Sequence, residues 1–388
     1  MFTGTQFFLE ILGFTSITRD EEGFMKLGSW SLLSFIILLQ TQIGRTEPAA
    51  LPTVAGPEAS GLIESTTGYI VYTDLKTLHV LKLPQLKETI INDPSMNDGI
   101  TVNIGQMGPS IDAVSGPDHE GHIVYIEGKG KHQSLKVTNL DGSLHEIIFS
   151  RMGEPLLEGI SNRALSLAHT SSLVAVFGQS KGIQMRNPDA YLFQGPAEIW
   201  SLSKKEKVIA DENAIQYGGL CWFPDGSRLA YVKLIPRDQA PVPTSEGDNF
   251  GIDFKHWDRV PVVFIYDLST HESKPLLMGW HPVVSNDGAS VVVFDYDDKA
   301  RWIDLEKKQS RPFDWRGHWH GIISFTTPTR IIYLGLPTAG SVPRWTEHYS
   351  PLVGPKQLIS VKVLDLSNGD FETVVPYFDW RHGISYGD

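Results

Sequence analysis

Short apolar runs alternate with polar turns along most of the chain, and they recur as a repeated unit. Six runs rich in Val, Ile and Tyr each follow a turn, and they begin at Gly68, Gly121, Ser171, Ser227, Ala289 and Thr329. A second apolar run follows each of them and often closes on Asp-Leu or Asn-Leu, and a third run such as "ETIIND" or "ETVVPY" comes next. Runs of this length and composition predict β-strands, and no long apolar stripe of helical period separates them.

A fourth strand is predicted just ahead of each of these six runs. The clearest case is "GGLCWFPDGSRLAYV", in which Leu220–Phe223 and Leu229–Val232 are predicted strands and residues 224–226 are the turn. Proline presets φ at the second turn position and glycine supplies a positive φ later, so the segment predicts a hairpin. Equivalent segments are "PVVSNDGASVVVF" and "GIISFTTPTRIIYL". Six such units predict an all-β fold, a six-bladed β-propeller of four-stranded blades.

The N- and C-terminal segments of the repeat are predicted to close the ring. The C-terminal "RHGISYGD" is similar to the predicted inner strands "WHPVVS" and "WHGIIS", and no further unit follows it. It is therefore predicted to complete the unit that begins at Gly68, which removes an exposed sheet edge. "SGLIES", residues 60–65, is the alternative strand for this place. "GISYG" matches a nucleophile elbow, but that motif needs acid and histidine partners further along the chain, and only Asp388 follows.

Two segments carry a resemblance to known propellers. "CWFPDGSRLAYV" resembles the Trp-x-Pro-Asp-Gly motif of TolB-type, WD-repeat-like propellers. "FKHWDRVPVVFIYDL", residues 254–268, is similar to part of the propeller of prolyl-oligopeptidase-family enzymes. The resemblance covers about residues 60–388 and implies the architecture, whereas this fold serves many functions. We expect no α/β-hydrolase domain of the peptidase family in this chain.

Residues 1–60 are predicted to lie outside the propeller, which is assigned to residues 61–388. Lys26 precedes "LGSWSLLSFIILL", whose apolar core suits a signal peptide and is short for a membrane span, which needs about 20 residues. Residues 1–45 are therefore predicted to be an N-terminal extension plus a signal peptide or uncleaved anchor, with Met25 as an alternative start. Residues 46–60, rich in Pro and Ala, are the predicted linker. We expect an exported protein, periplasmic or extracellular, that meets a membrane only through an uncleaved anchor.

Charge and cysteine content exclude two classes of function. The net charge is −12 and no Lys/Arg cluster stands out, which argues against nucleic-acid binding because that needs a basic face. Cys221 is the only cysteine, so neither an intramolecular disulfide nor a zinc site of several cysteines can form. Because propellers of this kind commonly bind ligands with loops rich in Trp, Tyr and His, a protein, peptide or carbohydrate ligand is expected, and no nucleic acid.

Three histidines occupy matching positions where predicted inner strands begin: His281, His320 and His382. Neighbouring units of a six-fold ring are rotated by about 60°, so the three imidazoles are expected to converge near the channel axis. Three imidazoles with an open position can hold zinc or a related metal. They can also recognise a polar ligand, transfer a proton or serve as structural residues of the repeat. His318 is an alternative to His320.

The residues next to these histidines extend the predicted site. "FDWR" occurs at residues 313–316 and again at 378–381, and its arginines could bind a carboxylate or phosphate through two parallel hydrogen bonds or pair with a neighbouring blade. The predicted ligand-binding residues are His281, His320, His382, Arg316, Arg381, Trp280 and Trp319.

Two classes of function follow from these observations. The first is an exported, TolB-like binding module for a protein, peptide or glycan at the channel mouth, which needs no cofactor. The second rests on a resemblance to oligogalacturonate lyase, a propeller family that holds a divalent metal with several histidines and a glutamine. It implies a metal-dependent enzyme with Mn, Zn or Ca bound by His281, His320, His382 and Gln216. The sequence leaves open whether the chain is an enzyme.

Overall fold

The chain divides into two compact units, Met1–Glu58 and Ala59–Asp388. The computed structural model describes residues 18–19, 25–26, 61–73, 77–92, 110–129, 132–152, 164–178, 181–184, 191–215, 218–241, 259–294, 300–313, 317–335, 358–379 and 384–387. In the first unit, β1 (Thr18–Arg19) and β2 (Met25–Lys26) form an antiparallel pair. Within the described ranges, no helix combines the length and the apolar character needed to cross a membrane.

The second unit begins with a single helical turn, α1 (Gly61–Glu64), and continues as antiparallel strands. The first strands are β3 (Gly68–Thr73), β4 (Thr77–Leu83) and β5 (Lys87–Asn92). A four-stranded sheet follows, with β6 (Ser110–Ser115), β7 (His122–Lys129), β8 (His132–Asn139) and β9 (His145–Met152) in that order.

The middle of the second unit forms one nine-stranded sheet. Its first strands are β10 (Leu165–Leu167), β11 (Leu173–Phe177), β12 (Lys181–Gln184), β13 (Tyr191–Ser201) and β14 (Lys207–Ile215). Its remaining strands are β15 (Leu220–Trp222), β16 (Arg228–Pro236), β17 (Arg259–Asp267) and β18 (Glu272–Met278), with a short 3-10 helix at Arg237–Gln239. A single residue pair between β14 and β16, Ala214 with Lys233, joins the two halves of this sheet.

The last strands form two further four-stranded sheets and complete the first one. One sheet contains β19 (Trp280–Val284), β20 (Ser290–Phe294), β21 (Ala300–Asp304) and β22 (Gln309–Pro312). The next contains β23 (Gly317–Thr327), β24 (Arg330–Gly335), β25 (Leu358–Asp365) and β26 (Phe371–Asp379). The final strand, β27 (Ile384–Gly387), pairs with β3 in the order β27-β3-β4-β5.

The pairing of β27 with β3 confirms that the C-terminal strand completes the first sheet. Ile384 lies opposite Tyr72, and Gly387 lies opposite Tyr69. The alternative strand at residues 60–65 is wrong, because residues 61–64 form α1 instead. Ser65 ends this helix with its hydroxyl on the carbonyl oxygen of Gly61, at 2.7 Å, a local bond that favours a helical turn over a strand.

Five clusters of buried side chains connect the sheets in cyclic order. Each cluster combines residues from two neighbouring sheets, for example Val71 with Val114, and Ile70 with Ile332. The other three clusters connect the β6–β9 sheet to the nine-stranded sheet, that sheet to β19–β22, and β19–β22 to β23–β26. The architecture is therefore all-β and propeller-like, with four four-stranded sheets and one nine-stranded sheet.

The outermost strands are the most exposed strands of their sheets, as the β19–β22 sheet shows. Every residue of β19 and β20 is buried, whereas β22 is exposed at three of its four positions. Both faces of β19 and β20 are covered by neighbouring sheets, so the run of residues 291–294 in β20 is continuously apolar rather than alternating. The third apolar runs of the repeat correspond to the partly exposed outer strands.

The turns that close the repeats are built around aspartates. In six of them the carboxylate accepts the backbone N–H two residues ahead, at 2.8–3.1 Å: Asp141, Asp225, Asp267, Asp287, Asp304 and Asp365. Burial alone would raise the pKa of Asp365, but hydrogen bonds from Ser367 and Arg330 outweigh it and lower that pKa below its usual value. The predicted turn at residues 224–226 is confirmed, with Gly226 at φ 66°.

Candidate binding cavity

A cavity of ≈ 260 Å³ lies where the six innermost strands meet. Its wall is formed by residues of β6, β10, β15, β19, β23 and β27 and by the turns that follow some of these strands. These are the strands predicted to line the channel, so the inner-strand assignment is confirmed. Small-molecule sites commonly measure about 300–1,000 Å³, and this cavity lies just below that range.

Six equivalent residues, one from each inner strand, form what we term the inner ring: Ser385, Ser115, Ser166, Cys221, Val283 and Ser324. Four of them accept a backbone N–H from the next inner strand around the axis. The bonds are Gly116 N to Ser385 Oγ at 3.2 Å, Leu167 N to Ser115 Oγ at 2.9 Å, Trp222 N to Ser166 Oγ at 3.4 Å and Val284 N to Cys221 Sγ at 3.3 Å.

The inner ring explains why small polar residues stand in otherwise apolar strands. Inner strands of adjacent sheets do not pair through a backbone ladder, so side chains satisfy these buried N–H groups. Trp222, the tryptophan of the Trp-x-Pro-Asp-Gly motif, adds a second bond by donating its indole N–H to the carbonyl oxygen of Ser166 at 2.9 Å. The motif thus connects two inner strands.

Hairpin turns surround one end of the cavity and are also bonded to one another. His119 N donates to the carbonyl oxygen of His169 at 3.2 Å, and Thr170 Oγ1 donates to that of Pro224 at 2.9 Å. Asn286 Nδ2 donates to the carbonyl oxygen of Thr326 at 3.2 Å. His169, Pro224 and Asn286 line the cavity, so this end forms a polar, cross-linked rim.

The cavity wall carries little formal charge. No Asp, Glu, Lys or Arg occurs among the described residues that line it, and His169 supplies an imidazole at the rim. A hydroxyl that accepts an N–H still carries a proton that it can donate. The serines of the inner ring therefore offer hydrogen-bond donors to a ligand with acceptor oxygens.

Trp280 and His281 pack beside the cavity wall. Both are buried, at 5% and 2% exposed, and Trp280 belongs to the buried cluster between the nine-stranded sheet and β19–β22. His281 adopts a left-handed backbone conformation, φ 51°, at an irregularity between Trp280 and Val283, and its ring meets Phe294 edge-on at 6.3 Å. The same strand presents Pro282, Val283 and Val284 to the cavity.

The other predicted site residues lie outside the described residues or have side chains outside them. Gln216, Arg316, Arg381 and His382 belong to undescribed segments, and the side chains of His318, Trp319 and His320 are not described within β23. The three-histidine site, its metal and its arginines therefore stay predictions.

Sequence reasoning missed two groups that the structure brings together. One is the inner ring, whose signal is a small residue after an apolar one at the same place in five of the six inner strands, as in "VSG", "LSL", "LCW" and "ISY". The other lies in the turn before β7. Among the described residues, the ligand atoms of Asp118, Glu120 and His122 lie within 4.8 Å of one another and form a group able to hold a metal ion.

Comparison with known proteins finds likeness at the level of structure. No family model matches the sequence, and no curated protein matches it. The chain is similar to the crystal structure of TolB from Acinetobacter baumannii, with a TM-score of 0.49 and 11% identity over 82% of this chain and 66% of that one. It is also similar to a putative TolB from Agrobacterium tumefaciens, with a TM-score of 0.44 and 12% identity over 84% of this chain and 99% of that one. An oligogalacturonate lyase from Vibrio parahaemolyticus has a TM-score of 0.42 and 14% identity over 69% of this chain and 71% of that one. At these identities the likeness says nothing about activity or ligand.

Proposed function

We propose that this chain is an exported, six-bladed, TolB-like propeller that binds an uncharged peptide or glycan segment in its axial cavity. The observation that carries the proposal is the wall formed jointly by six inner strands, whose described lining residues include no Asp, Glu, Lys or Arg. Burying an unpaired charge in such a cavity is costly, whereas neutral groups with acceptor oxygens can bond the serine hydroxyls.

The six-blade assignment treats the nine-stranded sheet as two blades. One comprises β10, β11, β13 and β14 with the added β12, and the other comprises β15 to β18. Each half contributes its own inner strand to the cavity, β10 and β15, and the two halves share one residue pair. With the four four-stranded sheets, these halves make six blades.

The ligand class follows from the size and chemistry of the cavity. A volume of ≈ 260 Å³, just below the range of about 300–1,000 Å³ that is common for small-molecule sites, suits the end of a chain-like ligand. Peptide carbonyls and sugar oxygens are neutral acceptors that match the donors of the inner ring. A polyanionic ligand would find no Lys or Arg among the described lining residues.

Cys221 provides a probe of occupancy, because it is the only cysteine, is partly exposed and lies in the inner ring. Purified protein is labelled with a maleimide while capped tripeptides or neutral trisaccharides are titrated, each beside an anionic counterpart of the same length. We expect a neutral probe to slow labelling and to raise the melting temperature, since a ligand of the folded state stabilises it by RT ln(1 + [L]/Kd).

A variant that fills the cavity separates binding there from binding elsewhere. Ser324→Trp places a large side chain at the inner ring and should abolish both effects, while Ser203→Trp, on an exposed turn, should leave them unchanged. Stronger protection by the anionic probes, or equal protection in Ser324→Trp, would contradict the proposal.

Export is proposed from Lys26 and the apolar run that follows it. Sequencing the N-terminus of the mature protein should give a start between about residues 43 and 57, after removal of a signal peptide. A mature chain that begins at Met1 or Met25 and is found only in the cytosol would refute export.

A further inference from the structure

The turn between β6 and β7 gathers side chains of the kinds that bind transition metals. It reads "PDHEGH" over residues 117–122, and Gly121 adopts φ 83°, which bends the turn. Asp118 Oδ2 lies 3.1 Å from His122 Nδ1, and Glu120 Oε2 lies 3.4 Å from the same nitrogen. Two carboxylates from different residues thus face one imidazole nitrogen.

From this geometry we propose that Asp118, Glu120 and His122 bind a divalent transition-metal ion, Zn²⁺ by preference. Metal–ligand bonds of ~2.1 Å at tetrahedral angles place neighbouring ligand atoms about 3.4 Å apart. The two separations of 3.1 and 3.4 Å already match this value. The metal would replace the proton that His122 Nδ1 shares with the carboxylates.

Asp118 is held in place independently of any metal. Its side chain is 1% exposed, and its Oδ1 accepts the backbone N–H groups of Glu120 at 2.9 Å and His122 at 2.8 Å. The backbone bonds use one oxygen and leave Oδ2 directed at His122. A buried, fixed carboxylate oxygen needs little reorganisation to bind a cation, and it gains a partner for its charge.

His119 supports the same assignment from a neighbouring position. Its Nδ1 lies 2.6 Å from the carbonyl oxygen of His169 and donates to it, which leaves a lone pair on Nε2. This Nε2 lies 3.8 Å from the second oxygen of Glu120. Metal-binding histidines commonly donate their other ring N–H to a backbone carbonyl, and His119 has this arrangement beside the group of close ligand atoms, which itself comprises Asp118, Glu120 and His122.

The donor set selects the class of metal. Ca²⁺ takes six to eight oxygen ligands and Mg²⁺ demands near-octahedral oxygen coordination, whereas one or two imidazoles with two carboxylates suit Zn²⁺ and its neighbours. Glu120 and His122 are 52% and 25% exposed at their side chains, so the ion can enter from solvent. The site adjoins the rim, because His119 bonds His169, which lines the cavity.

The test measures Zn²⁺ binding to the full chain by calorimetry and by equilibrium dialysis with elemental analysis. Wild type should bind zinc at this site. Glu120→Gln and His122→Gln should each raise the dissociation constant of one bound zinc ion at least tenfold. Glu120→Gln is the decisive variant, because its exposed side chain can change without loss of core packing. His145→Gln is the matched control, an exposed histidine that begins β9 in the same sheet.

Each outcome decides the proposal. If zinc bound elsewhere on the chain, both variants would bind as much zinc as wild type. The loss of one zinc ion per chain in both variants therefore identifies this site. Unaltered melting curves for Glu120→Gln with weakened zinc binding would confirm a ligand role. The proposal fails if wild type binds no zinc below millimolar concentration, if both variants bind as wild type does, or if His145→Gln weakens binding equally.

Discussion

Removing residues 384–388 is expected to prevent stable folding, because β27 completes the first sheet from the far end of the chain. Four residues of β27 pair with β3, from Ile384 opposite Tyr72 to Gly387 opposite Tyr69. The truncation would leave β3 as an exposed edge next to the cavity, where its unpaired N–H and C=O groups would promote aggregation.

The magnitude follows from the contacts that are lost. Ladder hydrogen bonds contribute about 1 kcal/mol each, and four paired residues supply about four of them. Ile384 is 2% exposed, and truncating a buried isoleucine costs about 2–5 kcal/mol. Ser385 Oγ also accepts from Gly116 N, and Tyr386 OH donates to the carbonyl oxygen of Thr67 at 2.5 Å. The expected loss is about 8 kcal/mol, comparable to the whole stability of a typical domain of 5–15 kcal/mol.

Urea unfolding followed by tryptophan fluorescence provides the assay. Ile384→Ala should lower the free energy of unfolding by about 2–5 kcal/mol, and the truncated chain should show no cooperative transition. A synthetic peptide of residues 381–388 should restore a transition by adding the missing strand. Ser65→Ala is the control at α1, on an exposed side chain, and should change stability by less than about 1 kcal/mol.

One result would refute this account of closure. If the truncated chain unfolded at the same urea concentration as the full-length protein, β27 would contribute nothing to stability. A larger effect of Ser65→Ala than of Ile384→Ala would instead assign closure to the segment that begins the second unit.

Three further perturbations test the packing and the turns. In thermal melts, Gly116→Ala should lower the free energy of unfolding by more than about 3 kcal/mol, because its Cβ would lie 2.6 Å from a backbone oxygen at φ 121°. The control Gly369→Ala, at φ 82° with open space around it, should lower that free energy by only about 1 kcal/mol. Glu198→Gln should lower the free energy of unfolding in urea by about 3 kcal/mol, because it removes the buried carboxylate that pairs with the partly buried Arg151; equal stability would show that the pair contributes nothing. Asp365 has a lowered pKa in the folded state, so its stabilisation is present above the unfolded value near 4 and is lost as pH falls through the folded value. Melting temperatures between about pH 5 and 2.5 should therefore fall less steeply for Asp365→Asn than for wild type, and identical slopes would contradict the assignment.

The sequence by itself determined the strands and most of the turns. Runs of β-branched residues and the Pro-Asp-Gly turn are local signals, because turn dihedrals and the burial of a strand depend on residues within a few positions. The closing strand β27 was also predictable, since "RHGISYGD" repeats the pattern of the inner strands. The competing segment at residues 60–65 was harder to exclude, because its helix depends on hydrogen bonds from Ser65 and Thr66 back to residues 61 and 62.

Tertiary structure alone decided how the sheets join and which side chains reach the cavity. The pairing of β14 with β16 depends on one residue pair, Ala214 with Lys233, and no local sequence pattern predicts this contact. His281 lies within β19, a strand that lines the cavity, yet its side chain is buried against Phe294, because the irregularity after Trp280 shifts the alternation of side chains. A shift of one residue moves a side chain to the other face of a strand, and hydrophobicity patterns do not record it.

At both candidate sites, the sequence determines some features and the tertiary structure determines the others. Asp118, Glu120 and His122 are neighbours in one turn, so the sequence supplied their identities, but their convergence required Asp118 to be fixed by two backbone N–H groups. The inner ring draws one residue from each of six strands that lie far apart in the sequence, and Ser385 accepts its hydrogen bond from Gly116, 269 positions away. Local sequence sets which strands form, and only the closed packing of all the sheets determines which residues face one another across the axis.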